Sequence, residues 1–212
     1  MTVFDENKEY WAKKSTIPAA LAEIIPDEPD LQILDLGCGG GRIALFLSNK
    51  AKAIYGMDYS KELLLEAKKI NCKLQPICAD FSSKGAWQSL PQLDLIVSNC
   101  AIRKDYCPDL KLITSSCYDR LKNGGKIALR VQSDKDLSEI LSSDVRSLFY
   151  SKKEIEDNLR QFKNVSIKEE SYKQRFSSID YLNQFLKRIQ LPEVTTSKLS
   201  LFRRYLIISA EK

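Results

Sequence analysis

Ile33-Leu34-Asp35-Leu36-Gly37-Cys38-Gly39-Gly40-Gly41-Arg42 is the stretch on which the fold turns. An apolar run holding one carboxylate enters four glycines in five positions, which reads as a buried strand, a tight turn and the start of a helix. Gly37, Gly39 and Gly41 let the backbone turn sharply and lie bare against a ligand, whose anionic part would meet the helix N-terminus. The pattern predicts a nucleotide-type cofactor. A dinucleotide fingerprint counted from Gly37 would place its third glycine where Arg42 stands, so NAD is disfavoured.

Outward from this turn, short apolar runs alternate with helical spacing over residues 31–131, the signature of βα units around a parallel sheet. Strands are expected at 31–36, 53–57, 74–78, 93–98 and 126–131, and helices at 42–49, 60–70 and 107–121. Asn123-Gly124-Gly125 reads as the end of the third helix. The expectation is one α/β domain with a doubly wound sheet. Residues 1–25 form a helical lid broken near Pro18, 31–131 the cofactor core, and 132–212 the sheet's completion and a substrate cap. In that last part, helices are expected at 151–162 and 179–189 and strands at 165–172 and 203–210.

Across 212 residues, 43% are hydrophobic and 29% charged, enough to bury a core beneath a polar surface. No apolar run approaches the ~20 residues of a membrane span, and residues 1–10 lack the apolar segment of a signal peptide. A cytoplasmic location and no membrane partner are expected. The net charge of +5 is uneven, because residues 146–212 hold 14 basic and 8 acidic side chains. That bias suits an anionic metabolite, an acidic carrier, nucleic acid or simply a solvated face. Six cysteines form no C-x-x-C pair and the chain has no histidine, so no metal site and no disulfide is expected. Any general base must be Asp, Glu, Lys, Tyr or Cys.

Asp35, Gly37, Gly39 and Gly41 spell acid-x-G-x-G-x-G, which resembles motif I of the class I S-adenosylmethionine-dependent methyltransferases. Asp58 in Tyr55-Gly56-Met57-Asp58-Tyr59-Ser60, Asp80 in Cys78-Ala79-Asp80-Phe81, and Leu121-Lys122-Asn123-Gly124-Gly125 resemble its later landmarks, with Asn123 where the family has proline. The resemblance implies a Rossmann-like, seven-stranded sheet, mostly parallel, with one antiparallel strand near the C-terminus and helices on both faces. It implies S-adenosylmethionine as cofactor and S-adenosylhomocysteine as product, with Asp58 accepting from the ribose hydroxyls and Asp80 from the adenine amino group. Cys38, Tyr59, Phe81 and Asn99 belong to the same cofactor set. Tyr10 and Trp11 match the family helix that covers the methionine end, and a core-packing role for both stays open.

Methyl transfer from a sulfonium is an in-line displacement, so holding donor and nucleophile together with water excluded is the main task. Without histidine, an acceptor that is already a nucleophile, such as a carboxylate, gains ground. Ser98-Asn99-Cys100-Ala101-Ile102-Arg103-Lys104 lies where the family places its acceptor, and it is not the N/D-P-P-Y/F of amide and nucleobase methylation. Followed by Tyr172-Lys173-Gln174-Arg175-Phe176-Ser177-Ser178-Ile179-Asp180-Tyr181-Leu182, it is similar to the trans-aconitate, juvenile hormone acid and malonyl-carrier-protein methyltransferases. Asn99, Arg103 and Lys104 are therefore the candidate acceptor residues, Arg103 or Lys104 pairing with a small anionic substrate. N- or C-methylation of a specialised metabolite or peptide, modification of RNA or protein, and cofactor binding without transfer are the alternatives. Nucleic acid is disfavoured as a partner, and no oligomeric state follows from the sequence.

Overall fold

The structure, a computed structural model, describes residues 17–212. Seven strands form one sheet: β1 (Leu31–Leu36), β2 (Ala51–Asp58), β3 (Leu74–Cys78), β4 (Leu93–Asn99), β5 (Leu121–Gln132), β6 (Lys163–Arg175) and β7 (Ser200–Glu211), in the order β3-β2-β1-β4-β5-β7-β6. The first five are parallel, while β7 runs antiparallel between β5 and β6. Strand order therefore reverses at β1, between β2 and β4, which opens a crevice at the carboxyl ends of those strands.

Alternation along the parallel strands divides the core into two layers. Ile33, Ile54, Leu95 and Val97 face one side, against α1 (Ala19–Ala22), α2 (Arg42–Phe46) and α3 (Lys61–Ile70). Leu34, Leu36, Met57 and Ile96 face the other, against a 3₁₀ turn (Lys84–Trp87), α4 (Leu110–Arg120) and α6 (Lys152–Asn158). A strand covered on both faces is apolar at nearly every position, which is why its sequence is an unbroken run. Between β5 and α6 lies α5 (Ser143–Arg146). A third cluster, with Phe149, Phe176, Phe185 and Leu201, packs α7 (Ile179–Arg188) onto the segment after β5. Ser60, Asp109, Ser142, Ser151 and Ser178 cap α3 to α7 through side-chain oxygens. No helix of the described residues is long and apolar enough to cross a membrane.

The sheet expectations hold, with β1 and β3 at the expected bounds and the others longer. Asn123-Gly124-Gly125 is a correction: α4 ends at Arg120, and these residues lie inside β5. Gly124 has φ 78° and donates to the carbonyl of Lys212 at 3.1 Å, so the glycines shape the strand where the end of β7 joins it. α2 stops at Phe46, short of the expected 49, where Ser48-Asn49 are poor helix formers. Of the expected N-terminal lid, only the part from residue 17 falls within the described residues.

Candidate functional site

The turn after β1 is tied to β2 by its own amides. Gly37 and Cys38 donate to the carbonyl of Met57 at 2.8 and 3.1 Å, and Gly39 donates to Asp58 Oδ2 at 2.8 Å. The glycines do different work. A Cβ on Gly37 would stand 2.2 Å from Cβ of Ala101, and one on Gly41 would stand 2.7 Å from Cβ of Ala67, so these two let neighbouring segments close in. A Cβ on Gly39 would meet nothing within 4 Å. Its φ of 49° favours glycine, and the bare peptide faces open space where a ligand can lie.

Asp58, at the tip of β2, accepts from Gly39 with one oxygen and from the Ser60 amide, at 2.9 Å, with the other. Burial raises its pKa, and the backbone donors work against that rise. Three backbone donors, Gly39, Ser60 and Tyr59, leave the carboxylate acceptor capacity for a hydroxyl. Asp35 sits deeper, with Oδ2 accepting from the Ala44 amide at 3.2 Å and Oδ1 without a partner. Burial pushes its pKa up to about 7.

A cleft with about 840 Å³ of empty space, open mouth included, lies over these strand ends. It brings together Gly37, Cys38 and Gly39 from the turn, Asp58 from the end of β2 with Tyr59 after it, Asp80 and Phe81 after β3, and Asn99 from the end of β4. Asp35 and Gly41 stand behind this wall, and Tyr10 and Trp11 lie outside the described residues. Asp80 is exposed, with Oδ1 accepting from both the amide and the hydroxyl of Ser82. Phe81 is anchored through its carbonyl by the Trp87 indole N–H at 2.9 Å. Volume, bare glycine and paired acids fit an adenosyl cofactor.

The loop after β4 supplies Tyr106 and Cys107, which sequence reasoning did not place at the site, beside Cys100 and Ala101 of the expected acceptor segment. Cys100, Ala101, Tyr106 and Cys107 line the cleft. Burial raises both thiols, Cys107 to about 12, so each behaves as a small hydrophobe. The Tyr106 hydroxyl donates to Gln190 Oε1 at 2.6 Å, and that of Tyr150 to the Cys107 carbonyl. No local pattern announces Tyr106, because its partner lies 84 residues away.

Arg103 and Lys104, expected to meet an acidic substrate, do not line the cleft. Arg103 is 4% exposed, donates twice to Asp105 and once to the Ile189 carbonyl, and lies over the rings of Tyr106 and Phe149. Lys104 pairs with Glu154 at 2.6 Å. Arg103 is a clamp between the loop and the end of α7, because a buried guanidinium must be satisfied where it lies.

A family model described as a methyltransferase domain matches residues 27–187. A malonyl-[acyl-carrier protein] O-methyltransferase of Pectobacterium atrosepticum is 28% identical over 124 residues, 57% of this chain and 46% of that protein. A trans-aconitate 2-methyltransferase of Deinococcus radiodurans is 27% identical over 135 residues, 62% of this chain and 50% of that protein. The chain spans about half the length of the curated relatives it matches. The solved structure of TehB from Haemophilus influenzae shares the fold, with a TM-score of 0.68 at 13% identity, covering 100% of this chain and 67% of that one. The family match takes in every strand from β1 to β6 and about three quarters of the chain, and on that ground this chain belongs to the methyltransferase domain family.

Proposed function

We propose that this chain, acting as one domain, binds S-adenosylmethionine in the cleft at the ends of β1, β2 and β4 and methylates a small molecule at a carboxylate oxygen. The observation that carries the reading is Gly39, whose backbone faces open space while its amide holds Asp58 at the cleft wall. When bound, the cofactor supplies a methyl group on an electrophilic sulfonium. Asp58 accepts from the ribose hydroxyls, Asp80 accepts from the adenine amino group, and Phe81 and Tyr59 flank the base. Asn99, with the Cys100 to Cys107 loop, bounds the acceptor's side and excludes water.

A carboxylate acceptor is supported by two facts. The chain has no histidine to deprotonate a weaker nucleophile, and two relatives carry names of enzymes acting on malonyl-carrier protein and trans-aconitate. The absence of an N/D-P-P-Y/F segment after β4 speaks against nucleobase and amide substrates.

The test is calorimetry with S-adenosylhomocysteine, followed by transfer from methyl-labelled S-adenosylmethionine to a panel of organic acids, amines and RNA. Micromolar binding and base-labile label on an acid are expected. No uptake of S-adenosylhomocysteine or S-adenosylmethionine would overturn the cofactor assignment, and label on amines or RNA alone would overturn the carboxylate.

A further inference from the structure

At its C-terminal end, β5 carries a guanidinium whose donors are only partly used. Arg130 lies beside Asn99 on β4 and Ile207 on β7, and its carbonyl accepts from the Cys100 amide at 2.7 Å. The residue is 6% exposed. Nε donates to Glu170 Oε2 on β6 at 2.7 Å, and the guanidinium lies over the Tyr205 ring with Cζ 3.3 Å from its centre. Nη1 makes two long contacts, 3.3 Å to Cys100 Sγ and 3.4 Å to Asn99 Oδ1. Nη2 makes no hydrogen bond among the described residues, and neither does the Tyr205 hydroxyl.

Arg203, in the same cluster, sets the contrast. Its Nε and Nη2 are held by Asp136, which is fully buried, and its Nη1 donates to Gln174 Oε1 at 3.2 Å. Every nitrogen of that guanidinium has a partner. Nη2 of Arg130 is not sealed from solvent, so its donors are open to an incoming acceptor, and the Nη1–Nη2 edge matches the two oxygens of a carboxylate. Glu170 contacts Nε alone, so it fixes the plane and leaves Nη1 with its two long contacts and Nη2 with none. Cys100, held at φ 60°, sets its sulfur against Nη1 and also lines the cleft with Asn99, so this edge lies one residue behind the cleft wall.

We propose that Arg130, oriented by Glu170 and braced on Tyr205, is the anion-recognising group of the acceptor site, and that it grips a carboxylate remote from the one methylated. The acceptor is then a di- or tricarboxylic acid. A carboxylate paired to a guanidinium is a weakened nucleophile, and Arg130 does not itself line the cleft, so the held and the reacting groups are different ones. This rests on the methyl-transfer reading and gives it a substrate class.

The experiment is calorimetry on the full chain saturated with S-adenosylhomocysteine, titrated with succinate, glutarate, adipate and trans-aconitate. At least one acid is expected to bind the wild type. Arg130→Gln should weaken that binding about tenfold or more while S-adenosylhomocysteine affinity stays within about twofold. Should Arg130→Gln fail to fold, Arg130→Lys keeps the charge beside Glu170 and should still lose about fivefold, because an ammonium cannot present a fork. Failure of all four acids to bind the loaded wild type, or unchanged binding in a folded Arg130 variant, overturns the proposal. Failure of S-adenosylhomocysteine itself to bind overturns the cofactor assignment instead.

Discussion

The amide of Gly39 donates to Asp58 Oδ2 at 2.8 Å, and with the Gly37 and Cys38 amides on the Met57 carbonyl it joins the turn after β1 to the tip of β2. The same carboxylate holds the Ser60 amide at the start of α3, so one buried acid sets both walls of the cleft. Asp58→Ala should therefore weaken S-adenosylhomocysteine binding by about tenfold to a hundredfold, through lost acceptors and a loosened turn. Calorimetry measures this directly, and wild-type affinity in the folded variant would remove Asp58 from the ribose.

Gly37 and Gly39 should separate stability from binding. Gly37→Ala puts a methyl 2.2 Å from Ala101 in a left-handed backbone, and a loss of about 2–4 kcal/mol is expected. Gly39→Ala meets no atom, so stability should fall by only about 1 kcal/mol. Its methyl instead projects where the ligand lies, and cofactor affinity should drop about tenfold or more. Chemical denaturation beside calorimetry distinguishes the two, and equal destabilisation by both would contradict the open space at Gly39.

Asp35 gives a pH dependence of definite sign. Burial raises its folded pKa to about 7, whereas an unfolded aspartate titrates near ~3.9. Between those values the folded chain holds a proton that the unfolded chain has released, so stability falls as pH rises and levels off above the folded value. Asp35→Asn cannot titrate. Relative to that variant, the wild type should lose on the order of 2 kcal/mol from pH 5 to pH 8, read from parallel urea melts. Parallel curves for the two proteins would show that Asp35 stays ionised in the fold.

Arg103→Ala should act on the loop's anchorage. It removes a buried guanidinium from Asp105 and the Ile189 carbonyl, a loss of about 3 kcal/mol. Proteolysis should then cut faster near the end of α7, which this side chain ties to the acceptor loop. A stable variant with a raised KM for an acid and unchanged proteolysis would instead restore Arg103 to the substrate.

Much of this molecule was legible along the chain. Continuous apolar runs mark parallel strands because both faces are covered, and Gly37, Gly39 and Gly41 mark the turn because all three take left-handed backbone. Asp58 and Asp80 could be placed at strand ends because each lies one or two residues past a recognisable run. Asn123-Gly124-Gly125 misled because glycine serves a strand bend and a helix end alike, and its partner, Lys212, stands at the far end of the sequence.

The sequence by itself determined the sheet, the glycine turn and the acids around it, since each follows from residues adjacent in the chain. Which cation stands ready for an acceptor was decided only by tertiary structure. Arg103 is used up by a carbonyl 86 residues away, and Arg130 is aimed by a carboxylate 40 residues away. A guanidinium's availability depends on what packing leaves unpaired around it, and no local pattern encodes that remainder.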